Sequence, residues 1–354
     1  MPDFRWFLEW NRKNPKNIFG PGILAGAIGV AIIVATFIVV KGYPWPRAEI
    51  QTGPRGTGMF VVKSASVLDA GDGTALAYHA EPPVVPTGNE TLAGEAYENV
   101  PPELADLTAE NYDRLVAAAR VWTGIPNLFG PEESYQNAVA LRMIEMTRNI
   151  NENWSDHVAP AGVNCYTCHR GQPVPSGIWF DLTPVVEAFE GWSANQNRVT
   201  ATSEYTSLPT DALMKYLVEY EPIRVHDLAP RVANEGTASI QQAERTYALM
   251  NHFSNALDVN CTFCHNTRAF FDLDQSTPQL LNAQLGIALA QELNNDYLLP
   301  LAELLPPERL GPKHADGPKV ACRTCHKGYS KPLGGLDVIA DWPELAAEGP
   351  PVYE

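Results

Sequence analysis

All 6 cysteines of this 354-residue chain fall within three Cys-x-x-Cys-His pentapeptides: Cys165-Tyr-Thr-Cys168-His169, Cys261-Thr-Phe-Cys264-His265 and Cys322-Arg-Thr-Cys325-His326. That spacing is the one used for covalent attachment of c-type haem. Two thiols three positions apart add to the two vinyl groups on one porphyrin edge, and the histidine that follows is held under the iron as its proximal ligand. A disulfide framework would suit a short secreted domain without a core, whereas 354 residues at 45% hydrophobic can bury one unaided. Cys₄ zinc sites need the motifs in pairs, and three is odd. A redox-active Cys-x-x-Cys followed once by histidine could be chance, but three copies with no spare cysteine are not.

An electron-transfer haem takes a second axial ligand, in most cases a methionine sulfur or another histidine nitrogen. The chain has 6 Met and 8 His, of which three histidines are already used. Met250 stands 11 residues before Cys261, on a helix that could fold back over its own haem. Met143 and Met146 share one face, at i and i+3, of the helix before Cys165. Spacing does not separate those two, and a helical methionine is ordinarily a flexible core filler. No methionine precedes Cys322 at a comparable place, so that haem takes a histidine from elsewhere. His157, in Trp154-Ser-Asp-His-Val, is the best placed; His252, His226, His314 and His79 stand behind it, and a surface or capping role is the ordinary alternative for each. Three six-coordinate irons would leave no open position for catalysis of the peroxidase or nitrite-reductase kind. The chain therefore reads as an electron carrier and not an enzyme.

Helices must position these motifs. Helical signals run from Thr108 to Trp122, Glu133 to Asn151, Pro209 to Tyr220, Ser239 to Leu257 and Pro278 to Asn294, with N-cap signatures at Thr108 and Ser239. No convincing set of alternating strands is visible. The expected fold is mainly α: helix, turn, Cys-x-x-Cys-His, repeated and joined by long loops rich in the 30 prolines and 26 glycines.

Residues 18–40 carry no charge, and as a helix these 23 residues would cover about 34 Å, enough to span a bilayer. Arg5, Arg12, Lys13 and Lys16 could be the basic region of a signal peptide, but the apolar run is long for one and no Ala-x-Ala site follows. No cysteine follows it that could carry a lipid. The expectation is a single transmembrane anchor with Tyr43 and Trp45 at the interface. The expected organisation is a cytoplasmic segment 1–17, the anchor 18–40, an extended periplasmic segment 41–105, a first haem half 106–205 and a second haem half 206–354. The haem domain is placed in the periplasm because bacteria attach c-type haem on the outer side of the inner membrane. A net charge of −16 argues against nucleic acid and for a cationic protein partner or simple solubility.

Arg142-Met-Ile-Glu-Met-Thr-Arg-Asn-Ile-Asn-Glu-Asn-Trp-Ser-Asp-His-Val followed by Gly162-Val-Asn-Cys-Tyr-Thr-Cys-His-Arg-Gly resembles the cytochrome subunit of purple bacterial photosynthetic reaction centres. So do Ala248-Leu-Met, Asn260-Cys-Thr-Phe-Cys-His-Asn, Cys322-Arg-Thr-Cys-His and Gln51-Thr-Gly-Pro-Arg-Gly, which extends the likeness from about residue 50 to the end. The resemblance implies His169 and Met143 as ligands of the Cys165/Cys168 haem, His265 and Met250 for Cys261/Cys264, and His326 and His157 for Cys322/Cys325. It implies a role as tightly bound secondary donor that re-reduces the photo-oxidised bacteriochlorophyll pair of the core subunits, fed by a soluble cytochrome c or a high-potential iron–sulfur protein. The alternative is a membrane-anchored multihaem cytochrome serving a respiratory reductase or oxidase. It also implies an order from the membrane outward of Cys261/Cys264, Cys322/Cys325, Cys165/Cys168.

Two departures stand out. Members of this family typically carry four haems, and the first motif would fall between Trp122 and Tyr135. Here Thr123-Gly-Ile-Pro-Asn-Leu-Phe-Gly-Pro-Glu-Glu-Ser has neither Cys nor His, and the preceding helix Asp113-Arg-Leu-Val-Ala-Ala-Ala-Arg-Val has no Met. Thioethers and both axial ligands are missing together, so the expectation is three haems. The second departure is the anchor, where many relatives use a lipidated cysteine. Glu132 and Glu133 lie in the stretch of the lost motif and, with the general excess of carboxylates, are expected to steer a cationic donor to that end.

Overall fold

The uncharged run forms a helix that tolerates Pro21 because it sits in the first turn, where its missing N–H has no intrahelical partner to lose. A computed structural model describes residues 5–13, 19–41, 47–53, 59–64, 81–130, 134–181, 207–223, 240–312 and 315–353, with Tyr78, Gln196, Thr200, Thr202, Glu204, Tyr205 and Val225 besides. In it α1 spans Arg5–Lys13 and α2 spans Phe19–Lys41, one residue later at each end than the sequence suggests. The stretch Gly22–Val40 is long and apolar enough to cross a membrane and buries no side chains within the protein.

The haem-motif body is mostly helical. Its long helices are α3 (Ala109–Thr123), α4 (Tyr135–Asn153), α7 (Ile240–Leu257) and α8 (Pro278–Glu292), with short α5 (Cys165–His169), α6 (Ala212–Leu217) and α9 (Cys322–His326). Thr108 caps α3 by accepting from Asn111 N–H, as its sequence signature indicates, and Ser134 does the same for α4 through Asn137. Gly124 ends α3 at φ +64, and a Cβ there would stand 2.4 Å from the Gly171 carbonyl oxygen.

Two expectations change. Where the sequence shows no convincing strands, β1 (Arg47–Gln51) and β2 (Phe60–Ser64) pair in a two-stranded sheet. Each has only five residues, too few for alternation to show. Thr52 N–H donates to the Met59 carbonyl (2.9 Å), and this hairpin is fastened to the second motif: Thr52 Oγ1 donates to Thr262 O (3.0 Å) and Asn260 Nδ2 to Phe60 O (2.8 Å). The helix expected over Pro209–Tyr220 shortens to α6, because Tyr220 turns to φ +58 and Pro222 follows. The starts expected at Ser239 and Glu133 lie outside the described residues.

Among the described residues three clusters of buried side chains hold the body. Leu104, Leu115, Trp122, Tyr166, Trp342 and Leu345 make the first, with the Trp122 and Trp342 rings edge to face at 4.6 Å between centroids. Trp179, Leu213, Tyr216, Leu217 and Leu249 lead the second, and Ile150, Leu289 and Leu293 bring α4 against α8 in a third. The C-terminal segment returns onto the first helices: buried Arg114 pairs with buried Glu344 (2.5 Å) and Arg148 Nε donates to the Glu344 carbonyl (2.9 Å).

Candidate haem-binding site

Two of the three pentapeptides fold into nearly the same turn. In α5, Asn164 Oδ1 accepts from Thr167 N–H (3.3 Å) and Thr167 Oγ1 accepts from Asn164 N–H (3.1 Å), a reciprocal cap that fixes the thiols on one turn. In α9, Thr324 Oγ1 accepts from Ala321 N–H (3.0 Å), and alanine has no oxygen to return. Both turns end in a left-handed residue, Arg170 at φ +52 and Lys327 at φ +50. Both then dock on the end of a long helix: Gly171 N–H donates to Trp122 O and Gly328 N–H to Ala256 O, each at 2.7 Å. The second motif, with Thr before Phe, makes only a 3₁₀ turn at Cys261–Phe263.

In all three the histidine is prepared as a ligand. His169 Nδ1–H donates to Gln172 O (2.9 Å), His265 Nδ1–H to Phe270 O (2.8 Å) and His326 Nδ1–H to Tyr329 O (2.9 Å). A carbonyl can only accept, so the proton resides on Nδ1 and the Nε2 lone pair is left for a metal. Burial holds the His326 imidazole down to about 4 and lowers His169 and His265 as well, which keeps the rings neutral, as ligation requires. Burial also pushes the Cys165 and Cys264 thiols up to about 11 and Cys322 up to about 12, the reverse of the low-pKa thiolates that redox catalysts use.

α4 and α8 turn apolar stripes toward a shared cavity of about 1210 Å³, larger than the roughly 300–1,000 Å³ of an ordinary small-molecule site. Tyr135, Val139, Met143 and Met146 come from α4, and Pro278, Asn282, Gly286 and Ala290 from α8. Both thiols and the histidine of the first and third motifs open into it, together with Cys264. The Sγ atoms of Cys168 and Cys325 are 2.6 Å apart, so the first and third motifs are immediate neighbours. Among the described residues the charged side chains on its wall are Glu308, Arg309 and Lys331. A large, apolar, thiol-bearing space of this kind fits porphyrin.

The sixth-ligand candidates are distributed as follows. The His157 and His326 rings both border the cavity, with centroids 6.3 Å apart and planes inclined at 66°. Two metal–imidazole bonds of about 2.0–2.1 Å, the length zinc makes, plus the distance from each nitrogen to its own ring centre give roughly the same separation. The pair therefore has room for one iron between them. Met143 and Met146 both line the cavity, but Met146 packs into the α4–α8 cluster while Met143 belongs to none of the three. Met250 is half-buried against the second cluster beside Leu249 and Phe253, and neither it nor His265 is on the cavity wall; Cys261 is exposed. That motif lies at the edge of the space and not within it. His252 is buried near Glu204 (3.6 Å) and away from the cavity, while His79, His226 and His314 lie outside the described residues, as do Glu132 and Glu133. Asn282 and Gly286, which flank His157, carry no signal in the sequence, since 125 residues separate His157 from Asn282.

A family model described as "Photosynthetic reaction centre cytochrome C subunit" matches residues 42–346. The photosynthetic reaction center cytochrome c subunit of Roseobacter denitrificans is 52% identical over 369 residues, covering 99% of each chain. Those of Rubrivivax gelatinosus and Thermochromatium tepidum are 38% and 37% identical, covering 89% of this chain and 88% and 79% of their own.

Proposed function

The chain belongs to the photosynthetic reaction centre cytochrome c subunit family, and from that membership we propose that it is the bound donor that re-reduces the photo-oxidised bacteriochlorophyll pair. It is an electron carrier whose cofactor is covalently attached haem c, and the haem supplies an iron that takes up and gives back one electron at a time. Three haems are assigned per chain. Cys165 and Cys168 hold one with His169 and Met143, Cys261 and Cys264 one with His265 and Met250, and Cys322 and Cys325 one with His326 and His157.

The observation that carries this assignment is the adjacent pair His157 and His326, each with its Nδ1 proton committed to a carbonyl and the rings one metal's width apart. The adjacency of Cys168 and Cys325 supports neighbouring places for the first and third motifs in the order given by the resemblance. α2 is assigned as a single-pass anchor in the bacterial inner membrane, with residues 1–17 cytoplasmic and the haem domain periplasmic, against the core subunits. A soluble cytochrome c or a high-potential iron–sulfur protein supplies the electrons.

A light flash on isolated membranes tests the reading. Haem oxidation is expected to rise as the bacteriochlorophyll pair recovers, and deletion of this chain should slow that recovery. Recovery at an unchanged rate after deletion would transfer the chain to a respiratory partner.

A further inference from the structure

His157 does not stand on a long helix, as the methionine ligands do. It lies on the single turn Ser155–Val158 that follows α4, and a short segment of that kind cannot by itself hold an imidazole against an iron. Its orientation comes from α8. The His157 Nδ1–H is shared between Asn282 Oδ1 (2.7 Å) and the Asn282 carbonyl oxygen (3.1 Å). The carbonyl can only accept, so it fixes the tautomer and leaves the Nε2 lone pair free, with the His326 ring centre 6.3 Å from that of His157. One turn further along the same face is Gly286. A Cβ built there would stand 2.8 Å from His157 Cε1 and 3.2 Å from Nε2, closer than side-chain carbons approach one another. Glycine is unfavourable in a helix interior relative to alanine, so its presence in the middle of α8 calls for a packing reason, and the imidazole is the atom group that uses the space.

We propose that Asn282 and Gly286 together form a seat on α8 that orients His157 as the sixth ligand of the Cys322/Cys325 haem, with the Asn282 oxygen setting the donor strength of the imidazole. Both are positioning residues, since neither touches the iron. The proposal rests on His157 being that ligand. A stronger acceptor on Nδ1 gives the ring imidazolate character, which favours ferric iron and lowers the midpoint potential; loss of the acceptor does the opposite. A seat that served packing alone would not move the potential in two directions.

The test uses the full chain in reaction-centre membranes, with redox titration of each haem and low-temperature electron paramagnetic resonance. His157→Ala comes first: if none of the haem signals changes, the ligand assignment itself fails. Given that one haem responds, Asn282→Asp should lower the midpoint of that same haem and Asn282→Leu should raise it, the others staying in place. Gly286→Ala should remove or broaden its low-spin signal. If the Asn282 variants leave that midpoint where it was, or shift it in one common direction, the seat is overturned while His157 keeps its role. Should Gly286→Ala fail to accumulate in membranes, the two Asn282 variants decide the matter.

Discussion

Methionines 143 and 146 show how far residue-level argument carries. Both stand on one face of α4 and both border the cavity, so neither spacing nor position alone assigns the ligand. Packing divides them, because Met146 packs against the cluster of Ile150, Leu289 and Leu293 and fills the role a helical methionine ordinarily has, while Met143 belongs to none of the three clusters. Replacing Met143 with Leu should therefore change the visible spectrum and midpoint of one haem of the three. Met146→Leu, close to volume-conserving, should leave every haem unchanged and alter stability by less than about 1.5 kcal/mol. Redox titration of both variants checks this, and the assignment reverses if Met146→Leu is the one that moves a potential. The three motifs are legible in the sequence because the chemistry proposed for them is compressed into five consecutive residues. The Nδ1 partners of their histidines are not, since a backbone carbonyl has no sequence signature.

Elements repeat where the chemistry repeats. α3 and α7 each receive a motif turn on the carbonyl near their C-terminal end, at Trp122 and Ala256 respectively. Met250 is six residues before Ala256, and six before Trp122 is Val116, which is buried in the first core. Cys261 is five after Ala256, and five after Trp122 is Asn127. In place of a motif, the loop there closes on itself: buried Leu128 gives its carbonyl to Arg120 Nε (2.9 Å), and Phe129 N–H donates to Asn137 Oδ1 (2.9 Å). The methionine position is thus filled by a side chain that cannot bind iron and the first cysteine position by one that cannot form a thioether, and the described part of the loop has a packed structure of its own. Three haems per chain should resist acid–acetone extraction, and a fourth, or any extractable haem, would contradict this account. Helix starts marked by side-chain caps were readable in advance, as Thr108 shows. The end of α8 was not, because it passes into a π-helical turn at Leu293–Leu298 before Pro300, which depends on how Asn294 reaches Leu217 O and Val320 O.

Across the whole molecule two kinds of charge must be kept apart. Arg114 and Glu344 form a buried pair, with Arg114 Nη1 also donating to the carbonyls of Glu81 and Asp341 at 2.7 Å each. A buried ion pair gains little over a well-packed apolar contact, so its use is to specify where the C-terminal segment docks. That pair sums to zero, so the net charge of −16 comes from the excess of carboxylates elsewhere in the chain and acts at a distance. α4 begins just after Glu132 and Glu133, and its first turns, at Tyr135 and Gln136, border the cavity that the Cys165/Cys168 motif shares. Glu132 and Glu133, which lie outside the described residues, are expected to raise the encounter rate with a cationic carrier, and kinetics test this. The competing short-range contact is apolar: Val121 is 60% exposed and Val174 42% exposed, and Val174 borders the same cavity. Salt separates the two, since exposed charges are screened over a Debye length of about 10 Å at 0.1 M while apolar contact is not. With a basic soluble cytochrome as donor, flash kinetics should give a second-order rate that falls steeply as ionic strength rises. Glu132→Lys combined with Glu133→Lys should lower the rate at low salt and flatten its salt dependence. A rate indifferent to salt in the unaltered protein would assign docking to the apolar surface around Val121 and Val174 and withdraw the electrostatic role of Glu132 and Glu133.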